Sequence, residues 1–124
     1  MTFENFEFIN EKQQEIIEVK HKNKTYDLHN AAEFTGYNYD MQNREFNLNW
    51  NYYWNYNETD IIPLQFSFNK VNLIEILARD KDVPETEDDC LEQIYLNENL
   101  TFVFMSGMKI KINYETVIFN ADKT

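Results

Sequence analysis

The sequence predicts an α+β fold: a mostly antiparallel sheet of about six to eight strands with one or two short helices, in a single domain over residues 1–124. An all-β sandwich is the alternative. Three observations lead there. Large apolar residues recur at two-residue spacing in Phe46, Leu48, Trp50, Tyr52 and Trp54, which is how a strand with one buried face reads. Shorter apolar runs follow, separated by polar turns. One acidic stretch near residue 90 carries helix-like spacing. A chain of 124 residues, 43% hydrophobic and 16% aromatic, can bury one core, and a second would leave both marginal.

The elements follow in order. Phe3, Phe6 and Phe8 mark a short strand or arm over Phe3 to Asn10. Glu15–His21, the polar Lys22-Asn23-Lys24 and Thr25–Leu28 read as a strand, a turn and a returning strand. A helix over residues 10–20 competes, but β-branched Ile16, Ile17 and Val19 favour strand. Residues 29–43 are polar and aperiodic, so they read as loop, with a helical turn at Asn30–Glu33. The aromatic stripe comes next, then a turn at Asn57–Asp60. Leu64, Phe66 and Phe68 alternate after Pro63, which belongs at a strand start or edge.

Val71–Ala78 is a further strand, and Asn69-Lys70 is short enough for a hairpin link. Thr86-Glu87-Asp88-Asp89 resembles a capping box, so a helix from about Glu87 to Leu96 would align Leu91, Ile94 and Tyr95. Thr101–Met105 and Lys109–Tyr114 read as strands about a Ser106-Gly107-Met108 hairpin. Thr116–Phe119 closes the chain as a last strand.

Composition excludes several functions. Eleven Lys and Arg stand against 22 Asp and Glu, a formal charge of −11. Direct nucleic-acid binding needs the opposite sign. No apolar run approaches the roughly 18–20 residues of a membrane span, and the N-terminus lacks a cationic, then apolar, secretory leader. The expectation is a cytoplasmic protein with no membrane partner. With two glycines the chain cannot hold a Walker loop or a GxGxxG fingerprint. One cysteine and two histidines cannot complete a structural zinc site. Asp80-Lys81-Asp82 begins like a calcium loop, but Pro84, Glu85 and Leu91 occupy positions that need a ligand, glycine and glutamate. No metal or cofactor is expected.

Two clusters stand out as candidate sites. The first is acidic: Asp80, Asp82, Glu85, Glu87, Asp88 and Asp89, within a stretch where seven of 13 residues are Asp or Glu. Such a field suits a basic protein partner, and Arg79 is expected to pin the loop through an internal ion pair. The second is the aromatic face of Trp50, Tyr52 and Trp54, which could stack a small molecule or carbohydrate. A buried strand face explains the same pattern. Cys90 with His21 or His29 could form a nucleophilic pair, but the acids around Cys90 would raise its thiol pKa. No catalytic residue is identified, and the chain reads as a non-enzyme. Self-pairing through a strand edge is a third reading.

The residues Phe66-x-Phe68-x-x-Val71, Ala78-Arg79-Asp80, Pro84, Glu87-Asp88-Asp89-Cys90-Leu91 and Gly107-x-x-Ile110, within roughly Phe46 to Phe119, resemble small acidic bacterial proteins. Some of these are similar to immunity proteins of polymorphic or contact-dependent toxin systems. The resemblance implies a compact, acidic, cytoplasmic protein that neutralises a cognate toxin by binding it; the negative charge of this chain suits a basic toxin, such as a nuclease, which must present cationic surface to phosphates. It carries over no catalytic residue.

Overall fold

The structure is a computed structural model, and it describes residues 1–10, 15–53 and 60–121. The described residues form β1 (Thr2–Phe3), β2 (Glu7–Ile9), β3 (Glu18–His21), β4 (Lys24–Asp27), β5 (Ala32–Asp40) and β6 (Glu45–Tyr53). After these come β7 (Ile61–Asn69), β8 (Leu73–Leu77), β9 (Leu91–Leu96), β10 (Leu100–Phe104), β11 (Lys109–Asn113) and β12 (Thr116–Ala121). The helical content among the described residues is one 3₁₀ turn, Glu85–Glu87. The fold is all-β, and the expected α+β class is incorrect.

The strands build three sheets, in the orders β1–β12–β7–β6–β5, β8–β11–β10–β9 and β2–β3–β4. Every pairing is antiparallel except β1 on β12. The five-stranded sheet turns Phe46, Leu48, Trp50, Leu64, Phe66, Phe68, Val117 and Phe119 inward, all buried. The four-stranded sheet covers part of that face. Its Phe102 ring lies 5.7 Å from Trp50 and 5.6 Å from Phe66. The three-stranded sheet covers another part, with Phe8 5.9 Å from Phe66 and Tyr26 5.5 Å from Phe119. The two smaller sheets meet where Ile94 N–H donates to Ile16 O at 2.9 Å. One apolar cluster therefore spans all three sheets. Each fully buried large side chain contributes about 1.5–3 kcal/mol to it.

The helix expected at Glu87–Leu96 is instead the 3₁₀ turn followed by β9. Phe104 pairs with Leu91 but Val103 pairs with Gln93, so Glu92 is an extra residue in β9. This bulge lets Leu91 and Ile94, three apart, both face the core. That spacing imitates a helix. The loop expected at 29–43 is in fact occupied by β5, hidden by the same device. Phe34 pairs with Trp50 and Gly36 with Asn49, so Thr35 bulges and the inward residues shift from Phe34 to Tyr37.

Asn69-Lys70 is not a hairpin link: β7 and β8 lie in different sheets, and Lys70 turns the chain between them at φ 53°. The β3–β4 hairpin is as expected, with Lys22 and Asn23 at φ 49° and 64°. Pro63 is the third residue of β7, opposite Asn51 of β6, and not at the strand start; among the described residues the β7–β12 ladder reaches Leu64, the residue after it. Trp54, the first three residues of the Asn57–Asp60 turn, and residues 11–14 of the competing helix lie outside the described residues.

Candidate functional site

The acidic segment leaves β8 and enters β9, and it is fastened along its length. Arg79 opens it. Its Nε donates to Asp88 Oδ1 at 2.7 Å and its Nη2 to Val83 O at 2.6 Å. This is the ion pair the sequence suggests, and the hydrogen bond to Asp88 raises the guanidinium pKa further. Asp80 N–H donates to Ser106 O at 2.8 Å, while the Asp80 carboxylate accepts Asp82 N–H at 3.0 Å. Gly107 makes that approach possible. Its φ is +91°, and a Cβ there would meet Asp80 Cβ and N at 3.3 Å.

The far end is held from both large sheets. Phe34 N–H on β5 donates to Asp89 O at 2.8 Å, and Met105 N–H donates to Cys90 O at 2.8 Å. His29 Nδ1–H donates to Leu91 O at 2.5 Å. The segment is thus a clamp between one edge of the five-stranded sheet and the β10–β11 hairpin.

The six acids nominated from sequence share this one segment. Asp80, Asp82, Glu85 and Asp89 are exposed, while Glu87 and Asp88 are half-buried. Asp88 is committed to Arg79; Asp82, Glu85, Glu87 and Asp89 have no ion-pair partner among the described residues. Beside them runs a groove of about 580 Å³, lined by Phe34, Gly36, Tyr37, Arg79, Asp89 and Met108 among others. Phe34 forms its floor, packed 4.9 Å from Trp50 and 4.7 Å from Phe104. Tyr37 is 49% exposed, so its ring is available at the rim. Sequence reasoning missed Phe34, Tyr37 and Met108, because the bulge at Thr35 removes the alternation that would have placed the first two.

The aromatic face is differently placed. Trp50 is 1% exposed, held among Phe34, Phe66 and Phe102. It offers no ring face to a sugar, and its Nε1 is buried with no hydrogen-bond partner among the described residues. Tyr52 is half-buried, edge-on to Tyr26 at 5.1 Å. Trp54 lies outside the described residues.

Cys90 Sγ lies 3.8 Å from His29 Nδ1. That nitrogen's proton is directed at the Leu91 carbonyl, so it cannot serve as a base toward the thiol. Burial raises the Cys90 pKa, and Glu87 and Asp89 raise it further. A thiol kept protonated is a poor nucleophile. Among the described residues no group of three or more His, Cys, Asp and Glu side chains could hold a metal ion. No described helix is long and apolar enough to cross a membrane. Comparison of the chain with protein-family models, curated proteins and solved structures gives no match.

Proposed function

We propose that the protein is a non-enzymatic, immunity-type binding protein of the cytoplasm. It neutralises a basic toxin, a nuclease being the fitting kind, through the acidic segment and the groove beside it. The observation that carries this reading is the fastening of the segment before any partner arrives. Arg79, Ser106, Phe34 and Met105 hold its backbone and one carboxylate. Asp82, Glu85 and Asp89 are left exposed. A partner would therefore not have to order the loop backbone on binding, a cost of about 1–2 kcal/mol for each residue fixed.

Charge and shape support it as well. A net charge of −11 accelerates encounter with a cationic surface and disfavours anionic competitors. A nuclease must present such a surface to phosphates, and an acidic protein covering it competes directly with nucleic acid. The groove gives the contact an apolar centre, with Phe34, Tyr37 and Met108 beside Asp89 and the Arg79–Asp88 pair, and apolar anchors ringed by polar groups are the usual arrangement of an interface hot spot.

The test is co-expression with a basic protein encoded beside this chain, followed by gel filtration at about 0.15 M salt, where exposed charges beyond about 8 Å are screened. A complex is expected with the wild-type chain and none with a D82N/E85Q/D89N variant. Absence of a basic neighbour that binds, or equal binding by the triple variant, overturns the proposal.

A further inference from the structure

A sheet edge is a row of unpaired backbone donors and acceptors that invites another strand unless something blunts it. Most edges here are blunted. β1 is two residues long. β5 is bent by its bulge and gives the Phe34 N–H to Asp89. β9 is bridged by Ile16. β2 and β4 are three and four residues long and begin on charged, exposed Glu7 and Lys24.

β8 has no such protection. It pairs with β11 on one side and with no strand on the other among the described residues. Leu73, Ile76 and Leu77 are 38%, 38% and 47% exposed. Its sequence, Leu73-Ile74-Glu75-Ile76-Leu77, reads the same in both directions.

We infer that β8 pairs antiparallel with β8 of a second copy about a two-fold axis at Glu75, joining two four-stranded sheets into one continuous sheet. A two-fold contact must be complementary to itself, and a palindromic strand meets that demand along its whole length. Leu73 faces the partner's Leu77, and Ile74 faces the partner's Ile76. The neighbouring strand extends the match. β11 sets Ile110 beside Ile76 and Ile112 beside Ile74. The inner face then runs Ile110, Ile76, the partner's Ile74, the partner's Ile112, an unbroken isoleucine row.

On the outer face Glu75 meets the partner's Glu75, which alone is unfavourable. Lys111 lies beside Glu75 in the β8–β11 register. The outer row therefore runs lysine, glutamate, glutamate, lysine, and the cations offset the like-charge contact. A strand from an unrelated protein would require neither the palindrome nor the flanking lysines.

Sedimentation equilibrium of the full chain across a hundredfold concentration range tests this. The wild type is expected to self-associate reversibly to a dimer. Glu75→Gln removes the carboxylate repulsion and is expected to tighten the dimer about twofold to fivefold, the range of one cross-strand pair. Glu75→Lys places four lysines in the outer row, and Ile76→Lys places a charge in the isoleucine row; both are expected to leave monomer only. Both positions are exposed, and circular dichroism checks that each variant is folded. If Ile76→Lys does not fold, Glu75→Lys decides alone. A wild type that stays monomeric, or a dimer unmoved by Glu75→Lys, overturns the inference.

Discussion

β5 and β8 are each an edge strand of one of the two larger sheets, and they meet the edge problem in opposite ways. β5 is irregular, bulged at Thr35 and covered where Phe34 N–H reaches Asp89 O at 2.8 Å. β8 is regular and bare, with Leu77 47% exposed. Its alternating, β-branched sequence is the easier of the two to read as a strand, yet it is the less buried. Periodicity reports how side chains divide between two faces of a strand. It does not report whether another layer covers either face. The acidic segment supplies that layer for β5 and in doing so builds the groove. β8 has no counterpart among the described residues of one copy.

The two edges differ most in what they contribute to stability. Phe34 joins the covered edge to both large sheets through Trp50 and Phe104. Phe34→Ala is expected to cost about 3 kcal/mol. Leu77→Ala on the bare edge should stay within about 0.5 kcal/mol. Urea denaturation at low protein concentration measures both, and equal costs would abolish the distinction.

The four-stranded sheet is nonetheless well packed on its inner side, and pH tests that. Tyr114 follows β11, is 2% exposed and lies 4.9 Å from Phe68. Burial raises its pKa above the ordinary 10.0. An unfolded tyrosine ionises near that value while the folded one stays protonated, so the folded state holds the extra proton. Stability is therefore present below pH 10.0 and falls above it, by up to about 1.4 kcal/mol per pH unit for one group. Tyr26 and Cys90, whose pKa values are raised mainly by burial, act in the same direction. Tyr114→Phe should flatten the alkaline decline seen in thermal melts across that range. An unchanged decline would mean that Tyr114 is solvated.

A smaller effect sharpens the account of the cover itself. Gly107→Ala strains a position at φ +91° and presses a methyl against Asp80. It should cost about 1 kcal/mol and speed hydrogen exchange at the Asp80 amide, with exchange in β6 little changed. Uniform acceleration would show that the segment is not an independent layer.

Much of this architecture is legible in the residues. Phe46, Leu48 and Trp50 declare β6, Lys22-Asn23 declares a tight hairpin, and Ser106-Gly107-Met108 declares another. The acids of segment 80–92 are visible as a cluster, and Arg79 as its internal cation. Two bulges account for the principal errors. Thr35 turns β5 into apparent loop, and Glu92 gives β9 the three-residue spacing of a helix. A bulge is a relation between two strands, so neither strand's own sequence announces it. The pairing of β8 with β11, instead of β7, is likewise set by which face of each run finds a partner. The groove is not legible for the same reason: Phe34, Tyr37 and Met108 come from β5 and the β10–β11 hairpin, and only the fold brings them to the acids.

The most direct test of an acidic segment built in advance for a cationic partner is the salt dependence of association. Stopped-flow rates for the wild-type chain and the basic protein should fall steeply between about 0.05 M and about 0.5 M salt, as screening removes long-range steering. The D82N/E85Q/D89N variant should associate more slowly at low salt and show a much flatter dependence. Identical slopes for the two proteins would place the contact elsewhere on the molecule and contradict the account.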